Sequence, residues 1–445
     1  MSAAHSPLDA TVSVGTGTQW EWERGDQPAF TPRLAPVPES ALERLREAGQ
    51  QVVLGWFHRY PARFAAEVVT AILGEVVARA SRPVNLIMDP FCGTGSVVSA
   101  GRQIGVSATG MELTPLGVTI GRLRIDPPRN PWDAAAFCER LARTPAASSS
   151  RLDETLAAWL GDDNARLLTA WLPALNEIDD PKLHRFVTIA VSQSLRPSSR
   201  WLSGSVKVTA DPKRTPVPLD YSLPRWARQL ARDCVAEQEA FISASSVLGV
   251  PIASSKVDYG DAKRLPSQDA RFDAIITSPP YFVTYDYFDI QRLTYLAFGW
   301  PMQRAEQIGS KYRHAVVDGS VRLPTALDAW YREVFGGEST ALGRALRVYV
   351  EGLRVHLKEA LRVVASGGVV AYSLANTVRS GMIFNLVSGF EQLLDEAGFQ
   401  NIESVPRRQA GRRILPAGRD IQTGRFSSNT MSAGVREYVI YGIRP

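Results

Sequence analysis

Val84-Asn85-Leu86-Ile87-Met88-Asp89-Pro90-Phe91-Cys92-Gly93-Thr94-Gly95 decides the fold of this chain. Its first five residues form a short apolar run that ends at an acid, which suits a strand buried in a parallel sheet. The glycines that follow permit positive φ and close approach of a ligand. Ser96 to Gln103 then reads as a helix, and Ser107-Ala108-Thr109-Gly110-Met111-Glu112 as a second strand ending in another acid. Strand, glycine turn, helix, strand and acid together open a doubly wound α/β sheet. Backbone N–H groups and a helix N-terminus converge at such a turn. A carboxylate ending the second strand, here Glu112, can accept hydrogen bonds from two ribose hydroxyls. In dinucleotide folds the turn reads Gly-x-Gly-x-x-Gly, which this stretch lacks.

Working outward, residues 40–50 and 65–80 read as helices, the second with Val68, Val69, Ile72, Leu73, Val76 and Val77 on one face. Residues 1–39 mix Ser, Thr, Gly and Pro around Trp20-Glu21-Trp22 and read as a loose arm. Residues 40–126 form the cofactor half of the sheet domain. From Asp126-Pro127-Pro128 the sheet pattern stops, and 127–250 reads as a mostly helical insertion. Residues 251–445 resume the sheet, with strands at Lys256–Asp261, Phe272–Thr277 and Val369–Leu374 and a second insertion near 283–340. A helix is expected near 341–364. A pair of strands around an arginine-rich loop is expected after Gly398-Phe399.

The second decisive segment is Thr277-Ser278-Pro279-Pro280-Tyr281-Phe282. Two prolines fix φ and remove two N–H groups, so free carbonyls can be aimed outward. With a hydroxyl on one side and an aromatic ring on the other, the segment reads as a clamp for a flat, amino-bearing ring. An aromatic amine is a poor nucleophile because its lone pair is delocalised into the ring. Acceptors that bind its hydrogens return density to nitrogen, and Ser278 Oγ and the Pro279 carbonyl are the candidates. Tyr281 is the candidate for stacking.

The two segments together resemble the DNA methyltransferases that modify exocyclic amines, the N4-cytosine and N6-adenine enzymes. The Ser-Pro-Pro-Tyr form is closer to those acting on cytosine. The resemblance covers about 55–125 and 255–445. It implies a Rossmann-like methyltransferase sheet, S-adenosyl-L-methionine as cofactor, and a target base flipped out of double-stranded DNA. It also implies that Asp89, Phe91, Gly93 and Gly95 line the methionine and ribose, that Glu112 holds the ribose, and that Asp261 of Gly260-Asp261-Ala262 meets the adenine amine. His58-Arg59-Tyr60-Pro61-Ala62-Arg63-Phe64 resembles the family motif that closes over the methionine end, with Tyr60, Pro61, Arg63 and Phe64 as contacts. The family commonly has Lys where Arg63 stands. Ser278, Pro279, Pro280 and Tyr281 are the implied catalytic clamp. The main insertion precedes Gly260-Asp261-Ala262 rather than Ser278, a departure from the family's pattern. N6-adenine methylation fits the same clamp. An RNA base or guanine-N2 methyltransferase and a silent nucleic-acid-binding module are the readings from other classes.

The chain has 445 residues, 45% hydrophobic and 21% charged, with a formal net charge of +5. That composition supports a large core, and the small positive excess permits a nucleic-acid partner. Arg196, Arg200, Lys213 and Arg214 in the insertion and Arg407, Arg412 and Arg413 in the tail are the expected DNA contacts. A separately encoded restriction endonuclease is a partner the resemblance implies. Cys92, Cys138 and Cys234 are widely spaced with no Cys/His cluster. No metal site is expected, and a reduced cytoplasmic compartment fits. Cytosine-C5 enzymes need a Pro-Cys nucleophile, and no Pro-Cys dipeptide occurs. No apolar leader or run of 18 apolar residues is present.

Overall fold

The computed structural model describes residues 37–60, 64–146, 152–203, 205, 208–249, 253–282, 286–302, 307–309, 321–336, 340–379, 382–407, 418–419, 426–427 and 437–445. The arm up to residue 36, Pro61, Arg63, Arg412 and Arg413 lie outside the described residues.

Helices α1 (Val37–Glu47) and α2 (Ala66–Arg79) come first, and α2 buries all six of its predicted face residues. The deciding stretch then forms β1 (Leu86–Asp89), two residues later than its apolar run begins. The next elements, α3 (Ser96–Gln103) and β2 (Ser107–Glu112), fall where the sequence places them. Thr114 starts α4 (Pro115–Ile125) by accepting the Gly117 N–H, with Pro115 at the first helical position.

The helical stretch comprises α5 (Pro131–Leu141), α6 (Glu154–Leu160), α7 (Asp162–Asn176), α8 (Pro181–Leu195) and α9 (Leu219–Leu248). Asn130, Asp153 and Asp180 cap three of these through their side chains. The apolar faces converge on one core that holds Trp171, Phe186, Ile189 and Leu230, and this core continues into Leu116, Ile120 and Leu123 of α4. At the other end of α9, Ala244 and Leu248 pack into the core beneath β1 and β2.

The sheet resumes with β3 (Ser255–Tyr259) and β4 (Phe272–Thr277), the latter buried throughout. Short helices α10 (Tyr287–Ile290) and α11 (Arg292–Phe298) precede α12 (Thr325–Phe335) and the long α13 (Ala341–Val363). Then come β5 (Val364–Ala375), a hairpin of β6 (Thr377–Arg379) and β7 (Met382–Phe384), and α14 (Leu386–Ala397). The tail supplies β8 (Gln400–Arg407), the small pair β9 (Gly418–Arg419) and β10 (Phe426–Ser427), and β11 (Glu437–Ile443).

Seven strands form one sheet in the order β3-β2-β1-β4-β5-β11-β8. All neighbours are parallel except β11, which inserts antiparallel between β5 and β8. Helices α2 and α3 cover one face, and α13 and α14 cover the other. The chain runs outward from β1 to β3, then returns to place β4 beside β1 and runs the other way. The crevice beyond the carboxyl ends of β1 and β4 is therefore a topological switch point, where open α/β sheets bind ligands.

Candidate active site

Both deciding segments open into that crevice. Asp89 ends β1 and Thr277 ends β4, on paired parallel strands. The Thr277 hydroxyl donates to Asp89 Oδ1 at 2.6 Å, and the Phe91 N–H donates to the same oxygen at 3.1 Å. Asp89 is buried, and burial pushes its carboxyl up to about 7 against the pull of these two donors.

The glycine turn has the conformation its sequence requires. Gly93 and Gly95 have φ of +51° and +77°. A Cβ on Gly95 would stand 3.2 Å from the Gly121 Cα, so a glycine also lets α3 approach α4. The Gly93 N–H donates to Glu112 Oε2 at 2.9 Å, while the Thr114 N–H and hydroxyl donate to Oε1 at 2.9 and 2.6 Å. Burial raises the Glu112 carboxyl, and these donors oppose that. The Tyr60 hydroxyl lies 3.1 Å from Thr114 Oγ1, and its ring stacks on Tyr287 at 6.0 Å. A Cβ on Gly93 would stand 3.4 Å from the Tyr60 ring, so the glycine keeps a cradle open between turn and ring.

Three further expected contacts have distinct surroundings. Phe91 sets its ring edge-on to His356 at 4.8 Å. His356 is buried, bonded to the Ala262 carbonyl and Tyr372 hydroxyl at 2.9 Å each, and burial lowers it to about 4. Asp261 follows β3, accepts the Lys263 N–H at 2.9 Å and pairs with its ammonium at 3.3 Å. Phe64 is half-buried against the core beneath β1 and β2.

The clamp segment is fixed from behind. The Tyr349 hydroxyl donates to the Pro280 carbonyl at 3.0 Å. Phe282 is buried, its ring 5.4 Å from Tyr349 and 5.5 Å from Phe384. Gly309, with φ of +81°, passes so close that a Cβ would stand 3.1 Å from the Tyr281 carbonyl. Pro279 is buried, whereas Ser278, Pro280 and Tyr281 are half-buried. Burial raises the Tyr281 phenol, with the Glu437 carboxylate adding to this and Arg407 opposing it. Arg407 and Glu437 are opposite one another on β8 and β11 and form an ion pair. Arg407 is thus placed beside the clamp, already paired.

Three of the insertion's four expected DNA contacts are engaged with backbone carbonyls. Arg196 lies over the Trp201 ring at 4.7 Å and donates to the Ser205 carbonyl. Arg200 donates to the Ala158 carbonyl at 2.8 Å, and Arg214 to the carbonyls of Trp201 and Pro197. Lys213 is exposed. Lys182 and Arg185 pair with Asp126, and Arg228 with Glu139.

Several contributors escape sequence reading. Thr277 and Thr114 are ordinary in composition: the pairing of β1 with β4 brings Thr277 to Asp89, and Thr114 reaches back two residues to Glu112 from the start of α4. Arg124 and Glu237 are buried as an ion pair between α4 and α9. Arg124 also donates to the Thr94 carbonyl of the glycine turn at 2.8 Å and to the Gly55 carbonyl at 3.0 Å. Glu237 accepts the Gly55 N–H at 2.6 Å and the Ser99 hydroxyl at 3.1 Å. His58 is buried with Nε2 2.9 Å from Ser192 Oγ, a packed position rather than an open one. The three cysteines are all buried. Among the described residues no group of three or more His, Cys, Asp or Glu is placed to hold a metal, and no helix is long and apolar enough to cross a membrane.

No family model matches this chain, and no curated protein matches it. Among solved structures it is similar to a complex containing the Haloferax volcanii Trm112 methyltransferase activator, at 10% identity over 92% of this chain and 95% of that one, with a TM-score of 0.30. It is also similar to an arsenic(III) S-adenosylmethionine methyltransferase from Chlamydomonas reinhardtii, at 11% identity over 93% and 75% with a TM-score of 0.28. A third is the rRNA methyltransferase aviRa from Streptomyces viridochromogenes, at 12% over 88% and 91% with a TM-score of 0.28. Likeness at these scores carries no weight for function, which rests on the site itself.

Proposed function

We propose that this chain is an S-adenosylmethionine-dependent methyltransferase acting on the exocyclic N4 amine of a cytosine flipped out of duplex DNA. The observation that carries the reading is the 2.6 Å bond between Thr277 and Asp89. It ties the glycine turn to the Ser-Pro-Pro-Tyr clamp at one switch-point crevice, so donor and acceptor halves share an origin. When bound, the cofactor supplies an electrophilic methyl group on a cationic sulfonium.

The chain's own residues bind and orient. Gly93 and Gly95 let the backbone approach the ligand, and Phe91, set by His356, flanks it. An ionised carboxylate has about four acceptor positions, and Glu112 uses three. One ribose hydroxyl would take the fourth. A second would displace the Thr114 hydroxyl, which keeps Gly117 N–H and Tyr60 as other partners. Ser278 Oγ and the Pro279 carbonyl would accept from the amine and return density to its nitrogen, while Tyr281 stacks on the ring. The Pro280 carbonyl holds the turn instead, through Tyr349. Alignment of amine and methyl supplies much of the rate in such a transfer. The helical segment 127–250 is assigned to DNA recognition on this reading.

The test is nucleoside mass spectrometry of duplex DNA incubated with the protein and methyl-labelled cofactor. Labelled N4-methylcytosine is expected. Label only in N6-methyladenine would replace the base assignment and keep the clamp chemistry. Label in RNA alone would remove DNA as substrate.

A further inference from the structure

Arg59 separates two engaged residues. His58 is bonded to Ser192 on α8, and Tyr60 reaches Thr114 beside Glu112. The Arg59 N–H donates to Gln193 Oε1 at 3.2 Å, which fixes its backbone against the last turn of α8. Arg196 follows that turn and lies over Trp201. Arg214 bonds the Trp201 carbonyl, so it closes on the same tryptophan. Three guanidinium groups from separate parts of the chain therefore gather at one place. Burial lowers Arg59, with Arg214 adding to it, and burial lowers Arg196 to about 10, with Arg59 and Arg214 adding.

Among the described residues no Asp or Glu forms an ion pair with any of the three. Four other cations of the same helical layer do meet an acid: Lys182 and Arg185 pair with Asp126, Arg228 with Glu139 and Arg124 with Glu237. The carbonyls that bond Arg196 and Arg214 orient the guanidinium planes without cancelling charge. Each guanidinium has five N–H donors, so donors remain for an anion. Repelling charges held together without an acid leave room for one from outside.

We propose that Arg59, Arg196 and Arg214 form a seat for a backbone phosphate of the DNA strand that carries the target base. The inference rests on the nucleic-acid reading above, and it gives Arg196 an anchoring rather than a base-reading role. Planar guanidinium forks match phosphate oxygens in pairs. Phosphate contacts fix register without reading sequence. Arg59 adjoins Tyr60, which stacks on Tyr287 and bonds Thr114 beside the glycine turn, so the seat flanks the crevice into which a flipped base must pass.

The experiment is fluorescence anisotropy with a labelled duplex across a potassium chloride series, on the full chain and its Arg59→Gln and Arg59→Lys variants. Calorimetric titration with S-adenosylmethionine runs in parallel. The Arg59 side chain makes no hydrogen bond among the described residues, so its truncation leaves the core intact, and a thermal melt checks this. Losing one phosphate contact lowers the slope of log affinity against log salt by about 0.9. Arg59→Gln should show that drop, Arg59→Lys should recover most of it, and cofactor affinity should stay within about twofold, far less than loss of a charged hydrogen bond produces. An unchanged slope overturns the proposal. So does intact duplex binding with cofactor affinity lost, which would make the seat a carboxylate site, and so does a wild-type chain with no salt-dependent duplex binding. A reduced slope alongside a methylated product other than N4-methylcytosine would leave the seat standing while the base assignment falls.

Discussion

Thr277→Val tests the link between the two halves of the site. Valine keeps the shape of the fully buried threonine and removes the hydroxyl that donates to Asp89 Oδ1 at 2.6 Å. Asp89 has its carboxyl raised from 3.8 to about 7. The folded chain therefore holds a proton that the unfolded chain releases, so the Asp89 contribution to stability is fully present below about pH 3.8 and is lost as pH rises to about 7. Above that pH the threonine bonds a charged group, worth roughly 1.5–3 kcal/mol, and below it a neutral one, worth roughly 0.5–1.5 kcal/mol. Removing the hydroxyl raises Asp89 further, by one pH unit for each 1.36 kcal/mol of differential interaction, roughly. The stability gap between wild type and variant should widen by about 1 kcal/mol between pH 5 and pH 8.5. Urea unfolding at both pH values measures it. The same widening in an Asp89→Asn background, or a gap independent of pH, would refute the pairing as the cause.

Glu112→Ala should weaken S-adenosylmethionine by roughly 1–3 kcal/mol in calorimetric titration, since it removes charge-assisted acceptors; unchanged affinity would take Glu112 out of the site. Tyr281→Ala should abolish most turnover in the labelled-methyl assay while cofactor affinity persists. His356 is lowered from 6.5 to about 4, so its contribution is present above pH 6.5 and lost as pH falls toward 4. That amounts to about 3 kcal/mol, which His356→Gln should not lose, as urea midpoints at pH 7 and 4.5 will show.

The sheet was legible because β1 follows an apolar run closed by Asp89, and β4 carries Ala274-Ile275-Ile276 just ahead of the Ser-Pro-Pro turn. Ser96–Gln103, Ser107–Glu112 and Phe272–Thr277 fall where the pattern puts them. The stretch 376–398 was not anticipated, although Asn385 caps α14 and Leu386, Phe390 and Leu393 recur at helical spacing. The glycine turn was readable because its positive φ at Gly93 and Gly95 favours glycine there. What reading along the chain missed are partners set by tertiary approach. Arg196, Arg200 and Arg214 read as a basic surface, yet backbone carbonyls engage all three guanidinium groups. Arg407 read as a DNA contact and pairs with Glu437, thirty positions later in the sequence, through a strand register that no local pattern encodes.

The ion pair between Arg124 and Glu237 sets a rule for rebuilding this protein. Glu237 belongs to the long helix α9, yet the guanidinium it neutralises props up the Thr94 carbonyl of the glycine turn. Replacing Glu237 alone by an apolar residue would leave that arginine buried without its counter-ion, at a cost of roughly 3–5 kcal/mol. A chimera that swaps the region 127–250 for a homologous one must bring a carboxylate to the same point, or replace both partners together by apolar residues. Grafts of this region are constrained from the inside, by a charge buried away from the surface.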